Sequence, residues 1–240
     1  LPIGHIFIAP LLLLAVNASA QETPDFTGVW MPDRQQSGSW PSELPYTVAG
    51  HTAVLAFEEN YPGSRDARGF TSLYDPGGFC VFPGMPTIMF GGGYWVEFIQ
   101  RPERLTVIFE LSKPTRRIYT DGRSQPEDLY PTENGHSIGQ WDGDTLVVET
   151  IGIVPREGPI PNSKSLRIVE QLSIEPDETH GVMLKNEITI HDPVIFTEQV
   201  IVNQRFTPWP DDDLLEYQCT DGPWRDYLRE LETRREHASE

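Results

Sequence analysis

The sequence predicts a mainly β protein, folded as a single antiparallel barrel or a strongly curved sheet. Three observations lead there. From Tyr94 to Cys219 the chain runs through short segments rich in β-branched and aromatic residues, each bounded by Gly, Pro, Asp or Asn. Between two of these segments stands Asp142-Gly143, the dipeptide that a tight two-residue hairpin favours. Helical spacing of apolar residues is confined to two flanks, Thr47–Asn60 and Pro223–Arg234.

Residues 1–20 read as a secretory signal: an apolar run to Val16 precedes Ala18-Ser19-Ala20, an A-x-A cleavage pattern. With no initial Met and no Lys or Arg ahead of the run, the rest of its n-region is expected upstream. Cleavage near Ala20/Gln21 leaves 21–240 as one domain, placed in the periplasm or outside the cell. Phe26–Trp30 is a short first strand, with Trp30 as a core plug. The arm 21–93 is rich in Pro and Gly and carries one short helix, Thr47–Asn60, with Thr47 as its cap and Val48, Leu55 and Phe57 as buried candidates.

The barrel strands occupy 94–219. Tyr94–Gln100, Leu105–Glu110 and Thr115–Thr120 form a meander, followed by the hairpin His136–Trp141 and Asp144–Ile151. Then come Ser165–Ile174, Val182–Ile190, Gln199–Phe206 and Leu214–Cys219, separated by Pro176-Asp177, His191-Asp192-Pro193 and Pro208–Asp213. About nine or ten strands suffice to close a barrel. The helix at 223–234 starts on Pro223, and Trp224, Tyr227, Leu228 and Leu231 form one stripe that should dock on the barrel.

The net charge of −18 argues against nucleic acid or an anionic membrane surface as a partner. The apolar run at the start is too short to span a bilayer, so the mature chain is not expected to insert. Cys80 and Cys219 are the two cysteines, and in an exported chain they are expected to form one disulfide tying the arm to the last strand. A loop of that length is worth about 4–5 kcal/mol in the chain-entropy account. The sequence contains no HxH, HExxH or CxxC, so no metal and no cofactor is expected; Gly135–Gly139 spells G-x-S-x-G but lies within a strand-like run and not at a strand-to-helix elbow, so no serine triad is expected.

Ionisable groups are densest between Ile118 and Ile153. A turn centred on Asp142-Gly143 places His136 opposite Glu149, and period-2 geometry puts His136, Ile138, Gln140, Thr145, Val147 and Glu149 on one face. Tyr119 and Asp121 share a face with Arg117. His136, Glu149, Tyr119 and Asp121 are therefore the candidate acid–base set. A solvent-facing cross-strand pair is the alternative reading of His136 and Glu149. Glu97, Glu110, Glu149 and Glu170 each stand among apolar neighbours on their own strand face, as carboxylates in a ligand-lined lumen would. Arg117, Glu97, Glu110, Ile138 and Val147 complete the candidate ligand-binding set.

Pro24–Trp30, Asp75-Pro76 with Cys80 and Pro83-Gly84-Met85-Pro86, Arg116–Arg123, Gly135–Thr150 and Leu214–Cys219 together resemble an exported bacterial family of β-rich proteins without an established activity. The resemblance implies an exported, β-rich single domain and supplies no catalytic residue. Gly28-Val29-Trp30 is similar to the G-x-W that opens lipocalin barrels, a likeness of architecture only.

The expected function is binding of a small, largely apolar molecule in the barrel lumen. The alternatives are a cofactor-independent lyase, hydratase or isomerase using the acid–base set in that lumen, and an envelope interaction protein. The partner is a small-molecule ligand or substrate, and the sequence leaves the oligomeric state open.

Overall fold

The computed structural model describes residues 23–38, 40–60, 84–90, 94–210, 213–218 and scattered positions from 222 to 233. Nine strands close into a barrel in sequence order: β1 (Gly28–Pro32), β2 (Val96–Arg101), β3 (Arg104–Phe109), β4 (Thr115–Tyr119), β5 (His136–Asp142), β6 (Thr145–Ile151), β7 (Arg167–Asp177), β8 (Gly181–His191) and β9 (Val200–Pro208). The last strand pairs with the first, Trp30 facing Pro208 and Pro32 facing Phe206.

The expected antiparallel pattern holds at every junction but one. β4 and β5 run parallel, joined only at Ile118↔Ser137 and Tyr119↔Ile138. The chain between them crosses from one barrel end to the other through 120–135, the long return that a parallel pair needs. Residues 214–218, expected as a last strand, form no regular structure. The reason is topological: β9 is already hydrogen-bonded to β8 and β1, so the ring offers no edge to a further strand.

Alternation decides what fills the barrel. Phe98, Val107, Ile118, Val148, Ile168, Ile188, Val202 and Phe206 point inward and join one hydrophobic cluster with Trp30, Leu105 and Phe109. A ring of this size is just wide enough for side chains to fill it. One end is capped by Phe26 stacked on Trp141 at 5.5 Å, with the Trp30 indole donating to the Phe26 carbonyl at 2.9 Å. The other end is plugged by a 3₁₀ turn, Thr87–Phe90, whose Ile88 and Met89 are buried in the core.

Helix α1 (Val48–Asn60) begins as expected, with the Thr47 hydroxyl accepting from Gly50 N at 3.0 Å. Its buried residues are Gly50, Val54 and Phe57, whereas Val48 and Leu55 face solvent. The helix docks on the β8–β9 loop: Thr47 N donates to Ile195 O at 2.8 Å, and Tyr46 stacks on Phe196 at 5.5 Å. That loop, rather than the helix's own apolar spacing, selects the buried side. Gly222, Arg225, Asp226, Arg229, Glu230 and Thr233 are helical, in line with the expected C-terminal helix, while its stripe of Trp224, Tyr227, Leu228 and Leu231 lies outside the described residues. So do residues 1–22, Cys80 and Cys219, and with them the expected signal and the expected disulfide.

Candidate functional site

The β5–β6 hairpin turns one residue later than the sequence suggests. Asp142 pairs with Thr145, so the central residues are Gly143-Asp144, with Gly143 at φ +60° in the first position, where this turn requires a positive φ. His136 consequently faces Ile151, and Glu149 faces Ile138. The two still share a face, but their expected direct pairing is lost. That face is the outer one. Leu146, Val148 and Thr150 are buried, whereas His136, Ile138, Val147 and Glu149 are only partly covered. The more apolar set with Trp141 turned inward, as the free energy of burying it dictates. The expected lumen lined by His136 and Glu149 is therefore corrected to an outer surface.

On that surface the predicted residues do assemble. Tyr119 stacks on His136 with centroids 5.4 Å apart, and the Arg123 guanidinium lies over the Tyr119 ring, 3.8 Å from its centroid. Arg123 also binds the Asp121 carboxylate through Nε at 2.9 Å and Nη2 at 2.5 Å, which holds Asp121 below the usual carboxylate range. Gln125 Nε2 donates to the Glu149 carbonyl at 3.3 Å, so its Oε1 is the atom 2.7 Å from His136 Nδ1. An amide oxygen only accepts, so Nδ1 carries the proton and Nε2 holds the lone pair. Burial, with Arg123 as a second cause, pushes the His136 imidazole below its ordinary value. The Glu149 carboxylate is engaged by Arg167. An open groove beside this stack is lined by Ile138, Trp141, Val147, Glu149, Arg167 and Val169, and His136 is not among its walls.

Of the remaining candidates, Arg117 is exposed and Glu97 half-buried on outward positions. Glu110 is buried just past the end of β3, where its carboxylate accepts from Trp95 N at 3.0 Å. It completes the start of β2 and lines no ligand space.

Of the four carboxylates expected in the lumen, Glu170 does point inward, in company with polar residues that the sequence did not single out. Arg116, Ser137, Thr150, Glu170 and Asn186 come one each from β4, β5, β6, β7 and β8, and all are at most 2% exposed. Arg116 forks onto Glu170, with Nη1 donating to Oε1 at 3.0 Å and Nη2 to Oε2. It also donates to Ser137 Oγ at 3.2 Å and Thr150 Oγ1 at 2.8 Å, and Met89 Sδ sits 3.9 Å from Nη1. Asn186 Nδ2 donates to Glu170 Oε1 at 2.9 Å. This belt crosses the lumen and occupies it.

A mostly apolar space large enough for a molecule opens at the plugged end, whereas the wider grooves on the barrel surface are evenly polar and apolar. A cavity of about 250 Å³ lies under the β6–β7 loop, walled by Trp40, Met85, Pro86, Ile160, Leu166 and Phe196, with Arg156 and Asn162 among its polar members. Met85 and Pro86 enter its wall directly after Gly84, whose φ is +67°. A Cβ there would lie 2.7 Å from the Glu133 carbonyl, which also accepts from Met85 N at 2.9 Å. Glu133 holds Arg156 through Nε at 3.0 Å and through Nη2. The loop is pinned by Ser163, whose N and Oγ donate to the buried Asp192 at 2.6 and 2.7 Å.

Comparison with protein-family models and with curated proteins finds no match. Sequence reading singled out Glu170 but missed its four partners, because the members of the belt are scattered over five strands. The available signal was a polar residue on the more apolar parity of each strand, such as Asn186 between Leu184 and Ile188. The cavity gave no comparable signal, because most of its walls come from loops.

Proposed function

We propose that this chain is an exported barrel protein that binds a small, largely apolar molecule at the plugged end of the barrel. The end cavity carries the reading: about 250 Å³, aromatic and aliphatic walls, and a few placed polar groups, the make-up of small-molecule sites. The lumen itself is excluded as the binding space by Phe98, Phe206 and the Arg116–Glu170 belt. A dry cavity of ~150 Å³ holds benzene, so this one takes roughly a two-ring molecule. The test is native mass spectrometry of the protein purified from its own cell envelope, alongside an Ile160→Trp variant that fills the cavity. A retained molecule present in the parent and absent from the variant is expected. A molecule retained equally by both places the site elsewhere.

The second reading is acid–base catalysis at the outer stack. The His136 Nε2 lone pair and the lowered His136 pKa favour it, since a neutral imidazole is the form that accepts a proton. Both candidate carboxylates, Asp121 and Glu149, are bound to arginines, which deprives His136 of an acid partner and ranks this reading second. Conversion of the retained molecule by the parent but not by a His136→Gln variant would reverse the order.

A further inference from the structure

Asn162 is the polar side chain of the cavity whose orientation the surrounding backbone fixes. Its main chain exchanges bonds with Arg156, N donating to Arg156 O at 3.1 Å and O accepting from Arg156 N at 3.3 Å. Its Nδ2 donates to Val154 O at 3.1 Å. A carbonyl oxygen only accepts, so the amide cannot turn over without losing that bond. Its Oδ1 is therefore held as an acceptor, and no described residue donates to it. The charged groups around the cavity offer less. Arg156 already shares its guanidinium with Glu133, which removes the incentive for an anionic ligand. Glu157 is exposed, where water weakens any pairing with a cation.

We infer that the ligand is an uncharged ring compound carrying a hydroxyl, its O–H donated to Asn162 Oδ1 while the ring packs between Trp40, Met85, Ile160 and Phe196. This rests on the binding reading of the end cavity and adds the class of ligand. Thr87, exposed at the edge of the same space, is a further hydroxyl-bearing residue of its lining. An apolar site with one fixed acceptor discriminates by leaving that acceptor unpaired when the wrong molecule enters.

Three probes of matched size test it by titration against intrinsic tryptophan fluorescence: 2-naphthol, 2-methoxynaphthalene and the 2-naphthylmethylammonium cation. The full chain is expected to bind 2-naphthol about fivefold tighter than 2-methoxynaphthalene, the effect of one neutral hydrogen bond. Asn162→Ala should bring the two together while leaving the weaker one unchanged. The comparison on the unaltered protein stands even if that variant folds poorly. Equal affinities for naphthol and its methyl ether overturn the inference and leave the apolar site intact. Tightest binding by the ammonium probe, lost in Glu157→Gln, also overturns it and assigns the polar contact to the carboxylate. Binding of no probe removes the end-cavity reading itself, and this inference with it.

Discussion

Arg116→Met isolates the belt that crosses the barrel. Methionine keeps the length of the side chain and loses every donor. Glu170 is then fully buried with only Asn186 left to bond it, while Ser137 and Thr150 keep each other at 2.9 Å. Removing one partner of a buried ion pair costs about 3–5 kcal/mol, because an uncompensated charge remains. Domains of this size have roughly 5–15 kcal/mol in total, and each kcal/mol moves the melting temperature by about 2–4 °C, so a drop of about 6–20 °C is expected. The assay is urea unfolding followed by circular dichroism and tryptophan fluorescence, with coincident transitions required. The decisive comparison is Arg116→Met with Glu170→Leu together. If the cost is the stranded charge, the double variant is at least as stable as Arg116→Met alone, and the coupling exceeds 2 kcal/mol. A loss below about 1 kcal/mol in Arg116→Met, or additive losses in the double variant, refutes the account of the belt.

Burial and Arg123 hold His136 below the usual imidazole range, so the unfolded chain takes up a proton that the folded chain resists. Stability should therefore be unaffected above the unfolded value of about 6.5 and fall as pH drops through it, levelling off below the folded value. His136→Gln should flatten that slope in urea midpoints measured from pH 7.5 to 5, and an unchanged slope would contradict the geometry of the outer stack. Gly84→Ala should cost about 1–3 kcal/mol, since alanine is strained at φ +67° and its Cβ meets the Glu133 carbonyl. The same variant should weaken probe binding at the end cavity, and unaltered binding would show that Gly84 does not position Met85 and Pro86 in its wall.

The strands were legible because β-branched residues alternate with polar ones between Gly, Pro and Asp, and that pattern needs no tertiary knowledge. The hairpin was legible to within one residue. Asp142-Gly143-Asp144 contains two dipeptides that each suit a two-residue turn, and only the packing of Leu146 and Val148 selects between them. The faces of β5 and β6 were separable, but which one turned inward was not: a cluster of ionisable groups resembles a site whichever way it points. What gathers those groups is the parallel β4–β5 seam, which main-chain bonds hold at only two register pairs. Tyr119 and His136 bridge it outside, Arg116 and Ser137 inside. Residues read as chemistry are in large part the fastening of that seam.

β1 completes the ring with three register pairs on each side, the slightest hold of any strand that keeps both its neighbours antiparallel. Take it out and the ring opens into a sheet bordered by β2 and β9, whose N–H and C=O rows then face water and accept any suitable strand. The rows nearest at hand that can pair with them are the β9 and β2 edges of another opened molecule. Cleavage of the chain just ahead of Asp33 thus changes the kind of failure as well as its extent: a self-limited ring becomes a unit that joins end to end, and protein concentration rather than temperature sets the outcome.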